Sequence, residues 1–168
     1  VATGRGVYNE INPRIFEIVD MFVRENPHDL IEGVNGLVAD FELSKKNKES
    51  YLRLRDEYNR APTALKLFTL QIYAFQNMIR LNGQGRMNTP VGNNEFNKGT
   101  ARRIASFVPR TDRFELSCGS YQELDPSGFP EGTLFYFDPP YFITKAEYNG
   151  GKRGLEGWDA DSESALLD

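Results

Sequence analysis

Thr133-Leu134-Phe135-Tyr136-Phe137-Asp138-Pro139-Pro140-Tyr141 is the stretch on which the fold class turns. Five residues, nearly all apolar, run into a carboxylate and two prolines. A short apolar run of this kind predicts a strand buried on both faces of an α/β sheet, and the prolines, lacking an N–H, end the ladder and stiffen the exit. Open α/β sheets hold their ligands at the carboxyl ends of strands, so Asp138 is predicted to be presented to one. The prolines also leave local carbonyls free to accept hydrogen bonds beside that carboxylate. An exocyclic amino group carries two N–H donors next to a π-face. Asp138, the Pro139 carbonyl and the Tyr141 ring therefore match the amino edge and the plane of an adenine or cytosine. The plain alternative is an ordinary proline turn after a strand.

Outward from this stretch, Gly6-Val7-Tyr8-Asn9-Glu10 reads as a second short strand, and Pro13 at an early helical position opens a helix over Arg14 to Val23. Ile15, Ile18, Val19 and Phe22 recur at helical spacing, giving that helix one face to lay on a sheet. Further helices are predicted from about Asp29 to Phe41 and from about Lys48 to Tyr58. An amphipathic helix is predicted over Thr63 to Ile79, where Leu65, Phe68, Ile72, Phe75 and Ile79 mark the core face. The Gly- and Asn-rich run from Arg80 to Gly92 cannot continue a helix and suits tight turns and a hairpin. A short helix near Thr100 to Phe107 and a strand at Phe114-Glu115-Leu116-Ser117-Cys118 complete an α/β sheet interrupted by a mainly helical insertion.

The 168 residues suit one domain, or one domain carrying an insertion. With 39% hydrophobic and 26% charged residues the composition is that of a packed globular chain and excludes disorder or a fibre. No apolar stretch approaches the roughly 20 residues that span a bilayer, and no membrane partner is expected. The single cysteine, Cys118, and single histidine, His28, build neither an internal disulfide nor a Cys/His metal cage. No metal is expected, and Cys118 is assigned to the core. Residue 1 is Val and no signal pattern follows, so the chain is expected to be a piece of a longer protein. The formal charge of −4 hides a division: Ser44 to Arg103 holds 12 Lys/Arg against 4 Asp/Glu, a net +8, leaving −12 elsewhere. A basic block inside an acidic chain is either a phosphate-contacting face or a solvated helical surface, and charge alone leaves both open.

Asp-Pro-Pro-Tyr after an apolar strand, together with four other tracts in fixed order, resembles the DNA adenine methylase family and its bacteriophage branch. Asn9-Glu10-Ile11-Asn12 is similar to the family's acidic element after the second strand, and Tyr51, Arg55 and Tyr58-Asn59 to part of its helical recognition domain. Arg80-x-Asn82-x-x-Gly85-x-x-Asn88-x-Pro90-x-Gly92 is similar to its recognition hairpin, and Ser117-Cys118-Gly119-Ser120-Tyr121 precedes the catalytic strand at the expected distance. The fold this implies is a Rossmann-like, S-adenosylmethionine-dependent methyltransferase sheet, incomplete here. Residues 1–26 and 107–168 would form its catalytic parts, and 27–106 an inserted target-recognition domain with a β-hairpin.

The resemblance also implies roles. Asp138, Pro139, Pro140 and Tyr141 would be catalytic. Glu10 would accept from the cofactor's ribose hydroxyls, Ile11 would pack on its adenine, and Ser120, Tyr121 and Asp138 would border that pocket. Ser120 stands where many relatives carry an acid. Tyr148 would close over cofactor or target, or is simply a loop tyrosine. Arg80 would pair with a guanine or clamp a phosphate, Asn82, Arg86 and Asn88 would line the DNA, and Pro90 would meet a thymine methyl. The reaction implied is methyl transfer from S-adenosyl-L-methionine to adenine N6 in double-stranded DNA, at GATC or a close variant, by base flipping. It would be carried out by a monomer or weak dimer on DNA in the cytoplasm of a bacterium or phage-infected host. A cofactor glycine loop has no room upstream of Glu10, so the 168 residues alone are expected to be inactive. A silent DNA-binding piece, and amino-methylation of cytosine N4, RNA or protein glutamine, stay open.

Overall fold

The computed structural model describes Gly4 and residues 6–107, 114–138 and 160–167. Strand β1 (Gly6–Glu10) leads to α1 (Pro13–Arg24), α2 (Pro27–Phe41), α3 (Lys48–Arg60), α4 (Ala64–Tyr73) and α5 (Lys98–Ser106). Strand β2 (Phe114–Cys118) and α6 (Ala160–Leu167) follow. The result is a mixed helix and strand fold in which β1 and β2 pair in parallel, Gly6 opposite Phe114 and Glu10 opposite Cys118.

Asparagine starts most of the helices. Asn12, Asn26, Asn47 and Asn97 each accept a backbone N–H of the first turn through the side chain, and Thr63 does the same for α4. Each such cap is worth about 1 kcal/mol. Pro13 and Pro27, directly after two of these caps, sit where a missing N–H costs nothing.

The core gathers around α4, whose Leu67, Thr69, Leu70, Ile72 and Tyr73 are all buried. Leu54 and Tyr58 of α3, Val34 of α2 and Met87 close over it. α1 reaches α4 through an edge-on contact of Phe22 with Phe68, 4.8 Å between ring centroids, and also touches β2. It therefore joins the sheet to the helices.

Three expectations are corrected. The helix predicted to Ile79 stops at Tyr73, because Ala74 leaves it in an extended conformation and bridges Val91. Gly92 N–H donates to the Tyr73 carbonyl (2.8 Å), Phe75 N–H to the Pro90 carbonyl (2.9 Å), and Asn77 caps the freed Gln71 and Ile72 carbonyls. Gln76 and Asn77 have positive φ, which the helix cannot contain, and Phe75 is exposed rather than core. Gly92 is required where it stands: a Cβ there would lie 2.5 Å from the Ala74 carbonyl oxygen.

Residues 133–137 form no ladder among the described residues, since β1 and β2 pair with each other. Every residue of the run is exposed, Leu134 at 90% and Tyr136 at 86%. The alternation of an extended chain persists nonetheless: Phe135 and Phe137 stack (6.2 Å, 7° between planes), Phe135 meets Phe129 edge-on, and Phe137 meets Tyr121. An apolar strand buried on both faces needs covering elements, and one aromatic face is what this segment packs. Cys118 is exposed, not core: it ends β2, which among the described residues pairs with β1 alone.

Candidate active site

Parallel pairing brings the carboxyl ends of β1 and β2 together, and the predicted cofactor-side residues converge there. Gly119 N–H donates to the Glu10 carbonyl (3.2 Å), and Asn9 Nδ2 donates to the Gly119 carbonyl (2.9 Å). Both strands then turn into helix starts. Asn12 caps α1, and Ser120 accepts from Gln122 N–H at the head of the turn Tyr121–Glu123. Glu10 is half-buried; its Oε1 accepts from Asn12 N–H (2.9 Å) and its Oε2 from the Tyr8 hydroxyl (3.3 Å). The carboxylate is thus fixed at the amino end of α1, where the helix dipole favours negative charge. Burial, and then Glu10, hold the Tyr8 hydroxyl above its ordinary pKa, so it remains a donor.

Ile11, half exposed, offers an apolar surface beside Glu10. Tyr121 donates its hydroxyl to the Ser162 carbonyl (3.4 Å) and sets its ring edge-on to Phe137, 6.3 Å away; exposed Asp138 is the next residue of that segment. Pro139, Pro140, Tyr141 and Tyr148 lie outside the described residues. Asn9 Oδ1, buried at the same strand end, has no hydrogen-bond partner among the described residues. Cys118 borders the cluster with its thiol pushed up, first by desolvation and then by Glu10, Glu17 and Glu123. That disfavours a thiolate nucleophile.

The second group of predicted residues occupies the turn between two short antiparallel contacts, Ala74 with Val91 and Leu81 with Met87. Asn82 Oδ1 accepts from Gln84 and Arg86 N–H, tying the tip. Exposed Arg80 is oriented by Asn88: Nε donates to Asn88 Oδ1 (2.7 Å) and Nη2 to the Asn88 carbonyl (3.1 Å). Arg86 and the Pro90 ring are exposed at the same loop. Elsewhere in the basic block Lys45, Arg53, Arg60 and Lys66 pair with Glu95, Glu42 and Glu57. Among the described residues no ion pair involves Arg80, Arg86 or Arg102.

The resemblance placed Tyr51, Arg55 and Asn59 in the helical recognition domain, but sequence reasoning did not find that these α3 residues hold this loop. Tyr51 donates its hydroxyl to the Thr89 carbonyl (2.9 Å) from a buried position, Arg55 Nη1 reaches the same oxygen (3.5 Å), and Asn59 takes both backbone groups of Met87. Tyr51, Arg55 and Asn59 are four apart, so one helix face carries all three. That spacing was the available signal. Burial, opposed by Arg55, pushes the Tyr51 hydroxyl up to about 12. A tyrosine whose folded pKa is raised stabilises the fold fully below the ordinary value of about 10, and that contribution is lost as pH climbs through the folded value. The thermal midpoint is therefore expected to fall between pH about 10 and 12. Tyr8, Tyr58 and Tyr73 act in the same direction. Tyr51→Phe should flatten part of that fall and cost about 1 kcal/mol at neutral pH. A Tyr51→Phe midpoint that falls as steeply as wild type's above pH about 10 would remove Tyr51 from this account.

A family model described as D12 class N6 adenine-specific DNA methyltransferase matches residues 2–166. The chain belongs to this family. It is 47% identical over 167 residues to Modification methylase LlaI of Lactococcus lactis subsp. lactis, covering 99% of this chain and 27% of that protein. Modification methylase StsI of Streptococcus sanguinis is 30% identical over 165 residues, 96% of this chain and 25% of that protein. Type II methyltransferase M.FokI of Planomicrobium okeanokoites is 28% identical over 166 residues, 96% and 26% respectively. The chain thus spans about a quarter of the length of these curated relatives. The family resemblance carried by these tracts is borne out across nearly the whole chain. No helix among the described residues is long and apolar enough to cross a membrane.

Proposed function

We propose that the whole protein to which this chain belongs methylates adenine N6 in duplex DNA, with S-adenosyl-L-methionine as donor. The observation carrying the reading is the convergence of Glu10, Ile11, Ser120 and Tyr121 on one sheet end, with the residue before Asp138 packed on Tyr121, in a chain of the D12-class family. The residues present fit the nucleoside half of the cofactor: Glu10 is a fixed carboxylate for a ribose diol, Ile11 an exposed apolar wall for a base. The bound cofactor supplies an electrophilic methyl group on a sulfonium.

This chain's residues then hold the acceptor. The adenine leaves the stack, at a cost of a few kcal/mol, and docks beside Tyr141. Asp138 and the Pro139 carbonyl would accept hydrogen bonds from the two amino N–H groups and turn the nitrogen lone pair toward the methyl group. As the N–C bond forms the S–C bond breaks, and one amino proton is then lost to water, so catalysis is positioning and electrostatics. In this reading residues 27–106 are a target-recognition insertion between catalytic parts 1–26 and 107–168. Its 80–90 hairpin enters the major groove, with Arg80, Asn82, Arg86, Asn88 and Pro90 facing DNA. Because Asn88 engages Nε and one hydrogen of Nη2, Arg80 keeps N–H groups on Nη1 and Nη2, the pair that guanine O6 and N7 accept. The target contains guanine beside the adenine, GATC being the first sequence to examine.

Sequencing of N6-methyladenine in DNA from cells expressing the whole protein, in a host lacking this modification, tests the proposal. Methylated adenines in one sequence context are expected, and unmodified DNA would overturn it. Arg80→Ala should cost about 1–3 kcal/mol of discrimination at a single base pair. Weakening that is uniform over all sequences, with a shallower salt dependence, would make Arg80 a phosphate clamp instead.

A further inference from the structure

Met87 has its backbone partners in an unusual place. It faces Leu81 across an antiparallel bridge, but the flanking hydrogen bonds run from Asn82 N–H to the Arg86 carbonyl and from Asn88 N–H to the Arg80 carbonyl. The N–H and C=O of Met87 therefore point away from the opposing segment, as at every non-hydrogen-bonded pair. The Asn59 side chain meets both: Oδ1 accepts from Met87 N–H at 2.7 Å, and Nδ2 donates to the Met87 carbonyl at 3.0 Å. A primary amide carries one donor face and one acceptor face, so it reproduces the edge of a neighbouring strand.

We propose that Asn59 is a positioning residue for base recognition, its amide acting as a one-residue strand that fixes the height and register of residues 87–89 on α3. From there the constraint reaches the reading side chain. Thr89 Oγ1 accepts Arg80 N–H (3.0 Å), and Asn88 holds the Arg80 guanidinium through its side chain and carbonyl. Buried Met87 and Thr89 leave the segment no freedom to shift singly, because a one-residue slip would turn both outward. Asn59 touches neither base nor phosphate in this arrangement; it sets where Arg80 and Asn88 stand. The inference rests on the reading of 80–90 as the DNA-reading loop.

Its test uses the whole protein and duplex oligonucleotides. One carries the sequence context mapped by N6-methyladenine sequencing; the others change the base pair next to the target adenine. Asn59→Ala and Asn59→Asp are compared with wild type and Arg80→Ala. Asn59→Asp keeps an acceptor for Met87 N–H but sets an oxygen against the Met87 carbonyl, so it serves if the alanine variant folds poorly. The expected result is a fall in the preference for the mapped context of about 10-fold, within the range one bidentate base contact provides. The slope of binding against salt and the affinity for S-adenosyl-L-methionine should be unchanged, because no phosphate or cofactor contact is altered. Unchanged preference in a folded Asn59 variant, with Arg80→Ala still relaxing it, overturns the role of Asn59 alone. A lowered melting temperature with equal weakening on every duplex makes Asn59 merely structural and overturns it as well. Arg80→Ala without effect on preference removes the reading of the loop, and the inference falls with it.

Discussion

Asp138→Ala in the whole protein is expected to lower the rate of methyl transfer by on the order of 10²–10³-fold, the cost of removing one fixed group that stabilises charge developing in the transition state. The acceptor nitrogen becomes more positive as it takes the methyl, so a carboxylate on its protons gains strength on the way to the transition state and acts on kcat more than on KM. Asp138→Asn keeps an oxygen able to accept one proton but loses the charge, and should restore only part of the rate. Because Asp138 is exposed and follows the exposed aromatic run 133–137, neither substitution should move stability by more than about 0.5 kcal/mol. A rate loss is then chemistry rather than unfolding. Single-turnover methylation of an oligonucleotide duplex measures it, and an undiminished rate for Asp138→Ala would end the assignment of this carboxylate as the amino-group acceptor.

Local signals in the sequence located the elements well where the cause is local. Pro13 placed the head of α1, and the helical pattern of the sequence placed α2 and α3. The end of α4 was not legible, because the apolar spacing runs on to Phe75 and Ile79 while the helix is broken by hydrogen bonds to Pro90 and Gly92, some 15–20 residues away. The core face of α4 was also misjudged: Leu67 and Leu70, off the predicted stripe, are fully buried because α4 is packed by α1, α2 and α3 together. Residues 133–137 announce a need for burial without saying what meets it, and among the described residues only Phe135 and Phe137 of this run find aromatic partners. At the candidate site, Glu10, Ser120 and Asp138 were readable as motif residues. That Gly119 bonds back to Glu10, and that Asn59 completes Met87, depends on long-range pairing that no local pattern encodes.

Leu54→Ala is expected to destabilise the fold by about 2–5 kcal/mol, the range for removing a fully buried leucine and leaving a cavity. Leu54 is 0% exposed and lies on the same face of α3 as Tyr51 and Tyr58, three residues before and four after it, against Leu67 and Leu70 of α4. Large rigid tyrosine rings on both sides collapse poorly into the space a leucine vacates, which favours the upper part of the range. Leu52, two residues earlier, supplies the internal control: it is 39% exposed, and Leu52→Ala should cost no more than about 0.5 kcal/mol. Urea titration distinguishes the two, with the midpoint for Leu54→Ala falling well below wild type at an unchanged slope and that for Leu52→Ala nearly coincident with it. Equal costs for the two leucines would mean that α3 presents a different face to α4. The Tyr51, Arg55 and Asn59 contacts to residues 87–89 would then be lost as well, since all three are set by the rotation of that one helix.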